Sequence, residues 1–234
     1  MSIAQNVGEI RRRIAASAIR SGRDPEQITL MAVSKTFPPD SIREAYHAGL
    51  RVFGENWVQE FSQKARILAD LVDIEWHMIG HLQTNKAARA SELFAAVDSV
   101  DSLRLAEKLN SSAQQVGKKL SAFIEINVGG EAAKSGISSE SHELDEILQA
   151  APNLQNLEFR GLMTIPPFFD DPQEARPYFR KLRELHDRTA SRNLSNVSME
   201  VISMGMSHDF EVAIEEGSTC VRIGTAIFGE RVKS

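Results

Sequence analysis

The stretch Ile28-Thr29-Leu30-Met31-Ala32-Val33-Ser34-Lys35-Thr36 decides how the chain is read. Apart from Thr29, its first six residues are apolar. They lack the polar alternation of a half-wetted strand, so they read as a strand covered on both faces. Asp24-Pro25 precedes the run and Pro38-Pro39-Asp40 follows it. Proline fixes φ and removes a donor, so the first pair ends one element and the second starts a helix that runs through Tyr46 and stops at Gly49. Upstream, Ile3, Val7, Ile10, Ile14 and Ala18 recur at helical spacing and predict an opening amphipathic helix.

Outward from that stretch the signal repeats. Strand-like segments fall at residues 51–53, 75–79, 94–97, 122–128, 159–164, 198–204 and 220–223, which makes eight with the first. Helix-like segments lie between them at 57–71, 85–91, 102–116, 140–150, 172–190 and 207–216. Strands alternating with helices imply a parallel sheet. Eight such units behind an extra N-terminal helix predict an α/β fold of (β/α)8 TIM-barrel type. An open doubly wound sheet is the alternative, because the fourth strand is short and poorly marked. The length of 234 residues suits one barrel. No linker, low-complexity segment or repeat divides the chain, so residues 1–234 are read as one domain.

Composition narrows the partners. Hydrophobic residues make up 42% and charged residues 25%, enough for a full core without staples. The formal charge of −5, with no long run of one sign, argues against nucleic acid or an anionic membrane. The single cysteine, Cys220, lies in an apolar run and reads as a buried small hydrophobe. The N-terminus lacks the apolar core of a signal peptide and no stretch reaches membrane-spanning length, so a cytoplasmic location is expected.

In such a barrel, reactive groups stand where strands end. Lys35 follows the first strand directly, and desolvation at a cramped mouth would lower its pKa and free the amine to attack an aldehyde. The plainer reading is a lysine that snorkels to solvent. Ser207 precedes a helical run and Gly224-Thr225 follows the last strand. Loops after the last two strands, with a helix N-terminus, are the usual phosphate site of this fold. A simple N-cap for Ser207 and a tight turn for Gly224 are the alternatives. Arg222 shares Gly224's side of its strand and needs an interior partner, a ligand ring nitrogen or a carboxylate such as Glu200.

Six segments together carry a resemblance: residues 32–36 (AVSKT), 53–60 (FGENWVQE), 76–86 (WHMIGHLQTNK), 161–164 (GLMT), 203–207 (SMGMS) and 221–229 (VRIGTAIFG). They look like the pyridoxal phosphate homeostasis protein family, over about residues 4–231. The resemblance implies a barrel like the N-terminal domain of alanine racemases, and pyridoxal 5′-phosphate (PLP) held as a Schiff base on Lys35. It implies phosphate contacts from Ser207, Gly224 and Thr225, with Arg222 facing the pyridine nitrogen. Asn56 would lie beside the cofactor and Met163 near the ring face. It also implies a monomer, with PLP and PLP-dependent apoenzymes as partners, and a secondary role for Lys134.

Other motifs are set aside. His77 and His81 have a zinc-pair spacing but bracket a strand end with no third ligand nearby in sequence. Gly129-Gly130 before Lys134-Ser135 does not fit a nucleotide-binding P-loop. Arg11-Arg12-Arg13 and Glu215-Glu216 read as solvated helix faces. Three functions remain in view: a non-catalytic PLP carrier, a PLP-dependent amino-acid racemase, and a Schiff-base aldolase using Lys35 alone. An arginine at the ring nitrogen cannot pass it a proton, which suits a carrier. The chain stops soon after the eighth strand, without the second domain that in alanine racemases supplies an opposing base, and this also favours the carrier.

Overall fold

The computed structural model describes residues 1–131, 135–139 and 141–230. The strands are β1 (Thr29–Val33), β2 (Val52–Glu55), β3 (Glu75–Met78), β4 (Ala96–Val100), β5 (Leu120–Asn127), β6 (Ile137–Ser138), β7 (Leu157–Met163), β8 (Val197–Ser203) and β9 (Cys220–Ile223). The helices are α1 (Ile3–Arg20), α2 (Pro39–His47), α3 (Val58–Ile67), α4 (Ala87–Leu93), α5 (Leu103–Gln115), α6 (Glu143–Ala150), α7 (Arg176–Ala190), α8 (Phe210–Glu215) and α9 (Thr225–Phe228).

Every strand pairing is parallel. The ring runs from β1 through β5 to β7, β8 and β9, and β9 returns to β1, with Met31 opposite Arg222. That last pairing closes an eight-stranded barrel and excludes the open sheet. Among the described residues the two-residue β6 pairs only with the end of β5, outside the ring.

Alternation along the strands sorts the side chains. Ala32, Phe53, Val221 and Ile223 face outward onto α1 through Val7, Ile10 and Ile14. Met31, Val33, Ile79 and Cys220 face inward. α1 is started by a reciprocal cap in which Ser2 accepts from Gln5 N and Gln5 accepts from Ser2 N. On the opposite flank Phe61 packs against Trp76 and Phe94, with ring centroids 4.5 and 4.6 Å apart.

Some boundaries differ from the sequence reading. The fourth strand is displaced to 96–100, because Phe94 belongs to the helical layer against Phe61. The second barrel helix, α3, ends at Ile67, well before Leu71. Glu215 and Glu216 are not simply solvated: Glu215 pairs with Arg20 and Arg176, and Glu216 with Arg176 and Arg180. They tie α8 to α1 and α7. Of the basic triplet, Arg13 reaches Glu211 at 2.9 Å and Arg11 donates to Gly49 O at 2.9 Å. No helix among the described residues is long and apolar enough to cross a membrane.

Candidate functional site

The barrel's C-terminal rim gathers most of the residues singled out above. Lys35 stands two residues past Val33, at the end of β1, and is half-buried. Gly224, at the end of β9, lies against that same strand end. A Cβ added there would meet Val33 O at 3.3 Å and Val33 Cβ at 3.5 Å. The neighbouring pairing of β1 and β9 therefore brings the lysine loop beside the Gly224-Thr225 turn.

Ser207 does not cap α8. Asp209 stands at that position and takes the Met206 N–H on its Oδ1 at 2.6 Å. The Ser207 hydroxyl oxygen instead accepts from Ala226 N at 3.3 Å. This bond crosses from the loop after β8 to the first turn of α9. It joins Ser207 to Gly224-Thr225 and leaves the serine O–H able to donate.

Arg222 is 4% exposed and points into the barrel. One terminal nitrogen donates to Ser203 Oγ and the other to Thr164 O, both at 2.7 Å. Burial lowers its pKa, and Cys220, Asp98, Glu125 and Asp209 act against that drop. Glu200 is not its partner; that carboxylate pairs with Arg160 at 2.9 Å. Glu125 stands on the inner face of β5 opposite Met163 and is among the groups that act on Arg222. Its carboxyl is pushed up to about 7, chiefly by burial; the Asp101 charge adds to the rise and Arg222 opposes it.

Asn56 follows β2, the other neighbour of β1. Its backbone lies so close to Gly80 that a Cβ there would sit 2.6 Å from Asn56 O. It borders a groove of about 470 Å³ with Trp57, Gln59, His81 and Lys86. Met163 is fully buried with Phe123 and Ala96 and forms an apolar floor beneath the rim. Lys134 lies outside the described residues.

The other end of the barrel is also polar. A cavity of about 150 Å³ there is lined by Glu75, His77, Asp98, Arg160, Ser203 and Cys220, among others. His77 contacts Asp98 at 2.8 Å and Glu75 at 3.3 Å. Burial alone would lower its pKa, but the two carboxylates raise it to about 9. His81 pairs instead with Asp101 on the rim at 3.1 Å, so the two histidines do not converge. Among the described residues no group of three His, Cys, Asp or Glu side chains could hold a metal ion. Cys220 is buried as expected, and burial pushes its thiol up to about 12.

The family model described as alanine racemase, N-terminal domain, matches residues 3–232. A pyridoxal phosphate homeostasis protein of Aquifex aeolicus is 46% identical over 231 residues, covering 99% of each chain. The chain belongs to the pyridoxal phosphate homeostasis protein family. Among solved structures of similar sequence is PipY of Synechococcus elongatus PCC7942 with PLP bound. It is 36% identical with a TM-score of 0.84, covering 97% of this chain and 100% of that one. The alanine racemase of Corynebacterium glutamicum shares the fold, with a TM-score of 0.71 at 19% identity, covering 98% of this chain and 61% of that one.

The sequence reading missed Glu125. Its signal was available: a lone carboxylate in the middle of the apolar run 122–128 has to face something other than hydrocarbon. It also missed the support beneath Lys35, in which Ser34, Glu55, Glu60 and Lys64 take part.

Proposed function

We propose that this protein binds PLP at the C-terminal rim of its barrel, as a Schiff base on Lys35, and serves as a non-catalytic carrier in PLP homeostasis. The observation that carries the reading is the Ser207 Oγ to Ala226 N bond, which draws two loops into one donor cluster beside the end of β1. The donor set fits the cofactor's chemistry: an amine for the aldehyde, hydroxyl and backbone N–H groups for the phosphate, and an arginine for the ring nitrogen. Bound there, PLP supplies a reactive aldehyde and a conjugated ring that can draw electrons.

The chain's own residues have distinct tasks. Ser207 and the Gly224-Thr225 turn hold the anionic end. Asn56 borders the ligand from the β2 side and Met163 backs it from below. Arg222 is held rigid by Ser203 and Thr164, so it presents a fixed positive edge. A guanidinium stays protonated and cannot pass a proton to a ring nitrogen, which leaves the ring a weak electron sink. That electrostatic setting favours holding PLP over turning over amino acids. The relatives named as homeostasis proteins support the same reading. The barrel is proposed to be a single domain, acting in the cytoplasm as a monomer and passing PLP to PLP-dependent apoenzymes.

The test is a visible spectrum of the purified protein with PLP, followed by borohydride reduction and peptide mapping. The adduct is expected on Lys35 and is absent in Lys35→Ala. Trapping on another residue removes the lysine assignment. Multiple-turnover racemisation well above that of free PLP removes the carrier reading.

A further inference from the structure

Lys35 stands in a loop that is held from behind by a buried network. Ser34 points away from the barrel interior and is fully buried. Its hydroxyl donates to Glu55 Oε1 at 2.6 Å, and its carbonyl accepts from Lys64 Nζ at 3.0 Å. Lys64, on α3, is 6% exposed and also donates to both Glu55 oxygens, at 2.9 and 3.2 Å. It pairs further with Glu60 Oε1 at 2.6 Å. That same Glu60 oxygen accepts the Thr36 N–H at 2.7 Å. The residues on either side of Lys35 are therefore both fastened to one ion-pair cluster.

The fastening coincides with backbone strain. Thr36 has φ +68°, in the left-handed region that β-branched residues avoid. Such a conformation is costly and persists only where the surroundings impose it. A buried Lys64–Glu55 pair is also costly to desolvate, so it is a poor device for stability alone. Both features make sense if the conformation of residues 34–36 is what they maintain.

We propose that Glu55, Glu60 and Lys64 act as positioning residues that fix the Ser34–Thr36 backbone and so aim the Lys35 amine across the mouth of the barrel. This inference rests on the Lys35 reading above. Glu60 is its cleanest probe, because its side chain is partly exposed and its loss leaves the buried pair intact.

The experiment follows the rate of PLP capture by stopped-flow absorbance and maps the borohydride adduct, in the full chain and at a temperature where circular dichroism shows each variant folded. Glu60→Ala removes the Thr36 acceptor and is expected to slow capture by roughly tenfold, the scale of a small misplacement of a reacting group. Glu60→Gln keeps an oxygen acceptor and is expected to restore most of the rate, which a role in global stability does not explain. Lys64→Met is the second probe; it is expected to slow capture further and to spread the adduct onto other lysines. Capture on Lys35 at the parent's rate in both Glu60→Ala and Lys64→Met overturns the positioning role. A parent protein with no trappable adduct on Lys35 refutes the underlying reading instead, and this inference with it.

Discussion

Glu125 offers a quantitative test of how the barrel mouth is tuned. Its side chain is 6% exposed and its carboxyl is raised from an ordinary 4.5 to about 7, with burial the main cause. One pKa unit corresponds to about 1.4 kcal/mol, so the shift is worth about 3 kcal/mol. The folded state holds this proton more tightly than the unfolded chain. The contribution to stability is therefore full below the unfolded value and is lost as pH rises through the folded one. Glu125→Gln keeps the shape and removes the ionisation. Urea unfolding of parent and variant is measured at intervals from about pH 4.5 to about pH 8.5, and the two curves are subtracted so that other titrating groups cancel. The parent is expected to lose about 3 kcal/mol relative to the variant across that range. A difference that stays flat, or a parent that gains stability, refutes the assignment of Glu125 as a proton-bearing group beside Arg222.

At the opposite end of the barrel, His77 titrates near 9 against an ordinary 6.5, so its contribution to stability is full below about pH 6.5 and fades as pH rises through 9. Asp98→Asn is expected to be clearly less stable than the parent near neutrality, with the gap closing in alkali; imidazole NMR titration and urea unfolding check this. Gly80→Ala places a Cβ 2.6 Å from a backbone oxygen of Asn56, which no rotamer change relieves. It is expected to destabilise by about 1–3 kcal/mol in urea unfolding, and to weaken PLP retention. Arg222→Ala is expected to leave imine formation possible but to speed PLP loss in dialysis; unchanged affinity removes Arg222 from the site.

The first strand was legible because a run of apolar residues ending in Lys35 has one simple physical reading. The fourth was not. Its inward side chains include Asp98, which belongs to the polar cluster around His77, so the strand lacks the apolar continuity that marked the others. Phe94 supplied a false strand signal although it packs in the helical layer. The barrel count survived this because the alternation of elements does not depend on a two-residue boundary. Ser207 was singled out as a phosphate contact, with a plain helix cap as the alternative; Asp209 takes the cap position and Ser207 reaches α9. The grouping of Ser207 with Gly224-Thr225 was legible from the fold's habits, while the bond that joins them depends on a four-residue helix too short to show a period. Glu60 and Lys64 were not singled out, because a Glu four residues before a Lys is the ordinary spacing of a helix-surface pair. Only the folded chain reveals that this pair also holds Ser34 and Thr36.

The closing pairing of β9 with β1 has a consequence for biosynthesis. The amine and the guanidinium lie nearly two hundred positions apart in the chain, on either side of the seam where the last strand closes on the first. A ribosome-bound fragment still missing its final strand carries Lys35 but not the arginine or the turn beside it. On the proposed reading, the rim that holds PLP is complete only once the last strand has been made and has closed on the first.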